Sequence, residues 1–201
     1  DCKVKDTHLE IIAKLQNLTY LGLESNEITD VGVNTITSSL DKLKELNLGK
    51  NQFTHVGMVT IARQNISLAS PQVNSWLNIS RVQGNELSLY RIVTDLTDLE
   101  ELWISNCASN SDMSLLTDNI VRQISTRLRK LKKLFASQSG ATSGQAMMLV
   151  RGLPNLDSLV MRTISRNLGT NPLLRWSTTR NMKFCIPSKC YLLVEEHDVC
   201  S

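Results

Sequence analysis

Leucines near the start of the chain recur on a fixed pattern. One stretch carries Leu18, Leu21, Leu23, Asn26, Ile28, Gly32 and Ile36, and a second carries Leu43, Leu46, Leu48, Asn51, Phe53, Gly57 and Ile61. All seven landmarks have moved by one constant step, the distance from Leu18 to Leu43. Within each stretch the Leu-x-Leu spacing has the period of a strand, so Leu21 and Leu23 face one way and Tyr20, Gly22 and Glu24 the other. Asn26 stands where the chain must turn, and its amide can hydrogen-bond backbone groups that no neighbouring strand satisfies. From Asp30 onward the apolar spacing becomes near-helical, through Val31, Ile36 and Leu40. One strand–helix unit of this kind cannot bury its own apolar face, whereas stacked units can.

Weaker copies follow. Leu77, Val82, Asn85 and Leu87 form one, in which Ser80 falls on a core position. Leu99, Leu102 and Ile104 form the next, with Cys107 in the asparagine place. Leu131, Leu134 and Ala136, then Leu156, Leu159 and Met161, form two more. Successive units thus start at Leu18, Leu43, Leu77, Leu99, Leu131 and Leu156. The first and last steps are equal, those from Leu43 to Leu77 and from Leu99 to Leu131 are longer, and that from Leu77 to Leu99 is shorter. The long steps need larger loops or longer helices, and one such helix is predicted over 111–128, with Leu115, Leu116, Ile120 and Ile124 on one side. The pattern predicts an α/β solenoid, a horseshoe with a parallel sheet on its concave side and helices on its convex side.

These residues resemble leucine-rich repeats of the ribonuclease-inhibitor-like class, in which a strand alternates with an α-helix. The segment from Asn26 to Ile36 is particularly similar to that class, and the resemblance covers about residues 9–164. The same repeats form the C-terminal sensor arrays of NLR innate immune receptors. The irregular stretch from Leu99 to Cys107 resembles the degenerate arrays of the caspase-recruitment-domain NLRs. That resemblance implies a cytoplasmic ligand-sensing or autoinhibitory array, with nucleotide binding and oligomerisation carried elsewhere in a longer chain.

The expected organisation is a repeat region over 1–166, about six units with the first incomplete, and a segment 167–201 that is a C-terminal cap or a non-repeat tail. Shifting the pattern back by one repeat sets Ile11 in the place of Ile36. Residues 7–15 then become the helix of a unit whose strand is missing, so the array is expected to be part of a longer chain. An ordered polar cap over 1–15 would argue against that. The final segment departs from the pattern through Pro172, Pro187, the apolar run from Tyr191 to Val194, and Cys185, Cys190 and Cys200.

In a solenoid of this type the outward strand residues are the usual contact surface. The pattern makes them Tyr20, Gly22, Glu24; Glu45, Asn47, Gly49; Ile79, Arg81, Gln83; Glu101, Trp103, Ser105; Lys133, Phe135, Ser137; and Ser158, Val160, Arg162. The central column is therefore Gly22, Asn47, Arg81, Trp103, Phe135 and Val160. Its three adjacent apolar residues stand where polar ones would be cheaper, and exposed aromatics beside charges are typical of binding hot spots. The candidate partner-binding residues are Trp103, Phe135 and Val160, with Glu45, Arg81, Glu101, Lys133 and Arg162 around them. Two other readings stay open: the C-terminal tail folds over the aromatics, or the register of the degenerate units is off by one and every side chain changes face.

Composition narrows the function classes. The chain has 201 residues, 41% apolar, 20% charged and only 4% aromatic, with net charge +3. These are the proportions of a folded chain with an aliphatic core. Residues 1–100 carry 9 basic and 12 acidic side chains, while 101–201 carry 13 and 7. The densest basic run, Arg127 to Lys133, is read as a solvated helix end, because leucines alternate with its charges and no stacking aromatics accompany it. A nucleic-acid partner is therefore not expected. No apolar run reaches the ~18 residues of a membrane span.

No catalytic site, cofactor or metal is expected. His8, His55 and His197 are scattered, and the stretch from Gly140 to Gly144 lacks the lysine of a phosphate loop. The five cysteines, Cys2, Cys107, Cys185, Cys190 and Cys200, do not space as a zinc site. The leading expectation is a protein-binding repeat module. The alternative is a secreted or cell-surface recognition protein, with a disulfide-bonded C-terminal cap and glycans on the sequons at Asn17, Asn65 and Asn78.

Overall fold

The computed structural model describes residues 3–64, 75–107 and 115–163, with side chains throughout except at 137–141, 143, 162 and 163. In these residues a short strand alternates with a helix. The order is α1 (Asp6–Ile12), β1 (Tyr20–Gly22), α2 (Asp30–Ser39), β2 (Glu45–Asn47), α3 (His55–Arg63), β3 (Trp76–Asn78), α4 (Glu86–Asp95), β4 (Glu101–Trp103), α5 (Asp118–Arg127), β5 (Lys133–Ala141), α6 (Ser143–Gly152) and β6 (Ser158–Thr163). The six strands are parallel and lie in chain order in one sheet. Each helix packs against the next. The architecture is the α/β solenoid that the periodicity predicts.

The core is a set of ladders. Leu21, Leu46, Leu77, Leu102, Leu134 and Leu159 lie side by side across the sheet, and all are buried. Two positions further along each strand, Leu23, Leu48, Ile79, Ile104, Ala136 and Met161 are buried as well. The helices answer with Ile36, Ile61, Ile92, Ile124 and Leu149, again buried. Each fully buried leucine or isoleucine contributes roughly 1.5–3 kcal/mol, and it does so only because the neighbouring unit covers it.

At the turns after β1 and β3, backbone groups are satisfied by a side chain from the next unit. Asn51 donates from Nδ2 to the carbonyl of Leu23 in the preceding unit (2.8 Å) and to its own Leu48 (3.0 Å) and Gly49 (3.3 Å). Its Oδ1 accepts the Ile28 N–H of the preceding unit at 3.1 Å. Cys107 takes the same place and donates its thiol to the Ile79 carbonyl at 2.9 Å. Burial pushes that thiol up to about 12, so at neutral pH it remains a donor.

A second tie runs between helix starts. Thr29, Thr54, Asn85, Thr117 and Thr142 cap α2 to α6, each accepting a backbone N–H from its own first turn. Asp30 reaches across to the next unit and accepts from Thr54 N (2.8 Å), Thr54 Oγ1 (2.9 Å) and Gly57 N (2.7 Å). A Cβ on Gly57 would stand 2.7 Å from that Asp30 oxygen and 2.8 Å from the Phe53 ring. The repeated glycine is there for close approach.

The third unit corrects the sequence reading. Leu77 lies opposite Leu46 and Leu102, so the landmarks of this unit fall earlier in the chain than predicted. Ser80 leaves the core and Ile79 enters it, fully buried instead of outward. Val82, not Asn85, fills the asparagine place, and Asn85 caps α4 by accepting the Ser88 N–H at 2.9 Å. Arg81 falls in the turn after β3 with φ 61°, the place of Ser25, Lys50 and Asn106, which share that left-handed conformation. It is not a member of the central column. Measured at the strand-centre leucines, the step from Leu77 to Leu102 now equals those from Leu21 to Leu46 and from Leu134 to Leu159. Only the steps into β3 and β5 are longer. The helix predicted over 111–128 begins only at Asp118, and Leu115 and Leu116 are buried ahead of its cap. The helix predicted over 7–15 is α1, with Leu9 buried and Ile11 exposed. Residues 167–201 lie outside the described residues.

Replacing Asn51 by alanine should cost about 2 kcal/mol, because it strands the buried Ile28 N–H, while the Leu23 carbonyl keeps the Asn26 amide at 2.9 Å. Urea denaturation of the variant checks this: the midpoint should fall while the slope stays unchanged. A loss under about 1 kcal/mol, the net worth of a single ordinary hydrogen bond, would show that the turn finds other partners.

Candidate functional site

The sheet has one covered face, under the helices, and one open face. Alternation along each strand sends every second side chain to the open face. Its first column is Tyr20, Glu45, Trp76, Glu101, Lys133 and Ser158, and its second is Gly22, Asn47, Asn78, Trp103, Phe135 and Val160. Apart from buried Asn78, these residues are exposed or half-buried.

Four aromatic rings on this face form a chain from β1 to β5. The Tyr20 and Trp76 ring centroids are 6.5 Å apart with planes 6° from parallel. Trp76 meets Trp103 edge-on at 6.0 Å, and Trp103 lies tilted on Phe135 at 4.1 Å. The whole sequence has 9 aromatic residues, so four on one face is a marked concentration. Tyr20 can lie down along the sheet because Gly22 is beside it: a Cβ on Gly22 would stand 2.6 Å from the phenol oxygen. The indole N–H groups of Trp76 and Trp103 are shielded from solvent and meet no acceptor among the described residues. Buried donors without partners cost about 1–3 kcal/mol each, so the arrangement is not the one a purely structural surface would select.

Beside the rings is a polar network. Asn78 donates to Asn47 Oδ1 at 2.9 Å, and Asn47 donates to Glu24 Oε2 at 3.2 Å. Glu24 pairs with Lys50 at 2.7 Å. The Lys50 hydrogen bond holds the Glu24 carboxyl below its ordinary value, against a partial loss of solvent and with a smaller contribution from Asn47. Glu101 pairs with Lys133 at 2.7 Å. Glu45 differs from both: among the described residues its carboxylate has no hydrogen bond or ion pair.

The structure thus brings Trp103, Phe135 and Val160 together in register on adjacent strands, as predicted, with Glu45, Glu101 and Lys133 in the column beside them. Arg81 leaves the column for its turn, from which its charge still acts on Glu24, and the side chain of Arg162 lies outside the described residues. Trp76 and Asn78 were missed. A signal for them existed, since Trp76 precedes Leu77 as Tyr20 precedes Leu21, but Asn85 drew the register elsewhere. Tail cover of the aromatics would involve 167–201, outside the described residues.

The remaining candidates have local partners. In the basic run Lys130 pairs with Asp98 (2.6 Å) and Lys132 with Glu100 (2.8 Å). Arg127 donates to Gln123 and Arg129 to the Gly152 carbonyl. His8 Nδ1 accepts the Lys5 N–H at 2.9 Å, and His55 opens α3. Among the described residues no group of three or more His, Cys, Asp or Glu is placed to hold a metal ion, and no helix is long and apolar enough to cross a membrane. Of the three sequons, Asn78 is buried, Asn17 is exposed and accepts from Lys42 Nζ (2.7 Å), and Asn65 lies outside the described residues.

The Leucine Rich repeat family model matches residues 14–36 and 41–62, the two units with the clearest pattern. No curated protein matches the sequence. Among solved structures the chain is similar to an internalin from Listeria monocytogenes, at 23% identity over 85% of this chain and 49% of that one, with a TM-score of 0.49. The chain therefore spans about half the length of that protein. Strands stacked in chain order, a helix after each of the first five, and two units that match the repeat model make the chain a leucine-rich-repeat solenoid.

Proposed function

We propose that the chain is a protein-binding module whose open sheet face receives a segment of a partner. The observation that carries this is the aromatic chain Tyr20–Trp76–Trp103–Phe135. Aromatic side chains offer a large rigid contact area at low entropy cost, and at interfaces they concentrate the binding energy. Paired charges at the rim, Glu24–Lys50 and Glu101–Lys133, add orientation more than affinity. The reading is binding and not catalysis, since among the described residues nothing on this face pairs a nucleophile with a base.

Peptides selected on the folded protein from a random display library test this reading. Trp103→Ala and Phe135→Ala should each weaken a selected peptide about 30-fold, the size of a hot-spot loss of ~2 kcal/mol, while urea denaturation shows both variants still folded. Undiminished binding by both variants would sink the proposal.

We further propose that the module is the cytoplasmic ligand-sensing or autoinhibitory array of an NLR-type receptor, on the resemblance of the segments Asn26–Ile36 and Leu99–Cys107. Mass spectrometry of the natively expressed protein tests it. All thiols free and Asn17 unmodified is the expected result. A bridge between Cys185 and Cys190 or Cys200, together with glycan on Asn17, would show a secreted protein instead.

A further inference from the structure

Glu45 is the one carboxylate on the open face that the described residues leave uncompensated. The other two are neutralised, Glu24 by Lys50 and Glu101 by Lys133, each at 2.7 Å. Glu45 is half-buried on β2, and its neighbours in register are Tyr20 on β1 and Trp76 on β3. Glu45 thus stands in register between two aromatic residues. Their planes differ by 6° and their centroids are 6.5 Å apart.

That combination has a specific chemistry. Near-parallel rings with centroids 6.5 Å apart form an offset pair that sets aromatic surface beside Glu45. Aromatic faces attract cations, and a partly desolvated carboxylate beside them strengthens the attraction. A planar guanidinium can lie flat against this aromatic surface while it pairs with the carboxylate, a combination that an ammonium does not match. Lys50 is committed to Glu24 and Lys133 to Glu101, and no described cation pairs with Glu45, so the position is open to a cation from outside.

We propose that Tyr20, Glu45 and Trp76 form an arginine-binding clamp, and that the partner segment received by the open face presents an arginine to it. This rests on the reading of that face as a protein-binding surface and adds the partner's chemistry. Specificity comes from charge at Glu45 and from shape at the two rings, while Trp103 and Phe135 supply apolar contact further along.

The test is an NMR titration of the full chain, following the Trp76 indole N–H, with two probes: the tripeptide acetyl-Gly-Arg-Gly-amide and its citrulline counterpart, which keeps the shape and removes the charge. The arginine probe should shift the Trp76 resonance and bind at least fivefold more tightly than the citrulline probe. Glu45→Gln, a near-isosteric change at a half-exposed position, should erase that difference without altering the melting temperature. Trp76→Phe, followed through the backbone amides of β1 to β3, should retain part of the binding. Equal response to the two probes, no shift at Trp76, or an unchanged preference in Glu45→Gln would each overturn the clamp. Selected peptides that lose affinity to Trp103→Ala yet ignore Glu45→Gln would leave the binding face standing and remove only the clamp. A clamp that binds the arginine probe on a face where no peptide depends on Trp103 would remove the binding-face reading instead.

Discussion

The turn between strand and helix is the constraint on which this structure depends. The turns after β1 and β3 bury backbone groups that lie beyond the strand ladder. A side chain from the following unit pairs them: Asn51 for Leu23 and Ile28, and Cys107 for Ile79. Because the bond runs between units, it fixes their register as well as their stability. Register in turn decides which residues reach the open face, since a shift of an odd number of positions moves the whole set to the other side. The aromatic chain exists because the sheet ladder and the leucines beneath it, with these ties at β1–β2 and β3–β4, hold the strands in one register.

The open face is divided. Its rings run from Tyr20 to Phe135, while Glu24, Asn47 and Asn78 form a hydrogen-bonded strip beside them. The strip is internally satisfied and contributes order. The rings are not: two indole donors lack acceptors and Glu45 lacks a cation among the described residues. Unmet polar capacity next to aromatic area is what separates a contact surface from a merely solvated one. The basic run from Arg127 to Lys133, prominent in the sequence, has by contrast been absorbed by partners within the chain.

Most of the fold was legible because the landmark residues fill places that few others can fill. Leucine at the strand centres, asparagine at the turn and glycine where Asp30 passes close are all tied to one geometry. The third unit was not legible for the same reason. Val82 stands where asparagine is expected, and Asn85, a helix cap, offered a false anchor just beyond it. Burying Ser80 without a partner was the physical objection to that register, and it pointed to the right answer. The candidate site followed suit: Trp103, Phe135 and Val160 came from well-patterned units, whereas Trp76 and Asn78 belong to the misread one. The two longer steps contain 65–74 and 108–114, outside the described residues, where periodicity has nothing to act on.

The central claim is that the aromatic side of the sheet is the surface that meets a partner. Chemical-shift mapping of the labelled protein saturated with a selected peptide tests it most directly. The account predicts that perturbed amides cluster on the strands around Tyr20, Glu45, Trp76, Trp103 and Phe135, and that the indole signals of Trp76 and Trp103 move. Perturbations confined to the helices, with both indole signals unmoved, would contradict it.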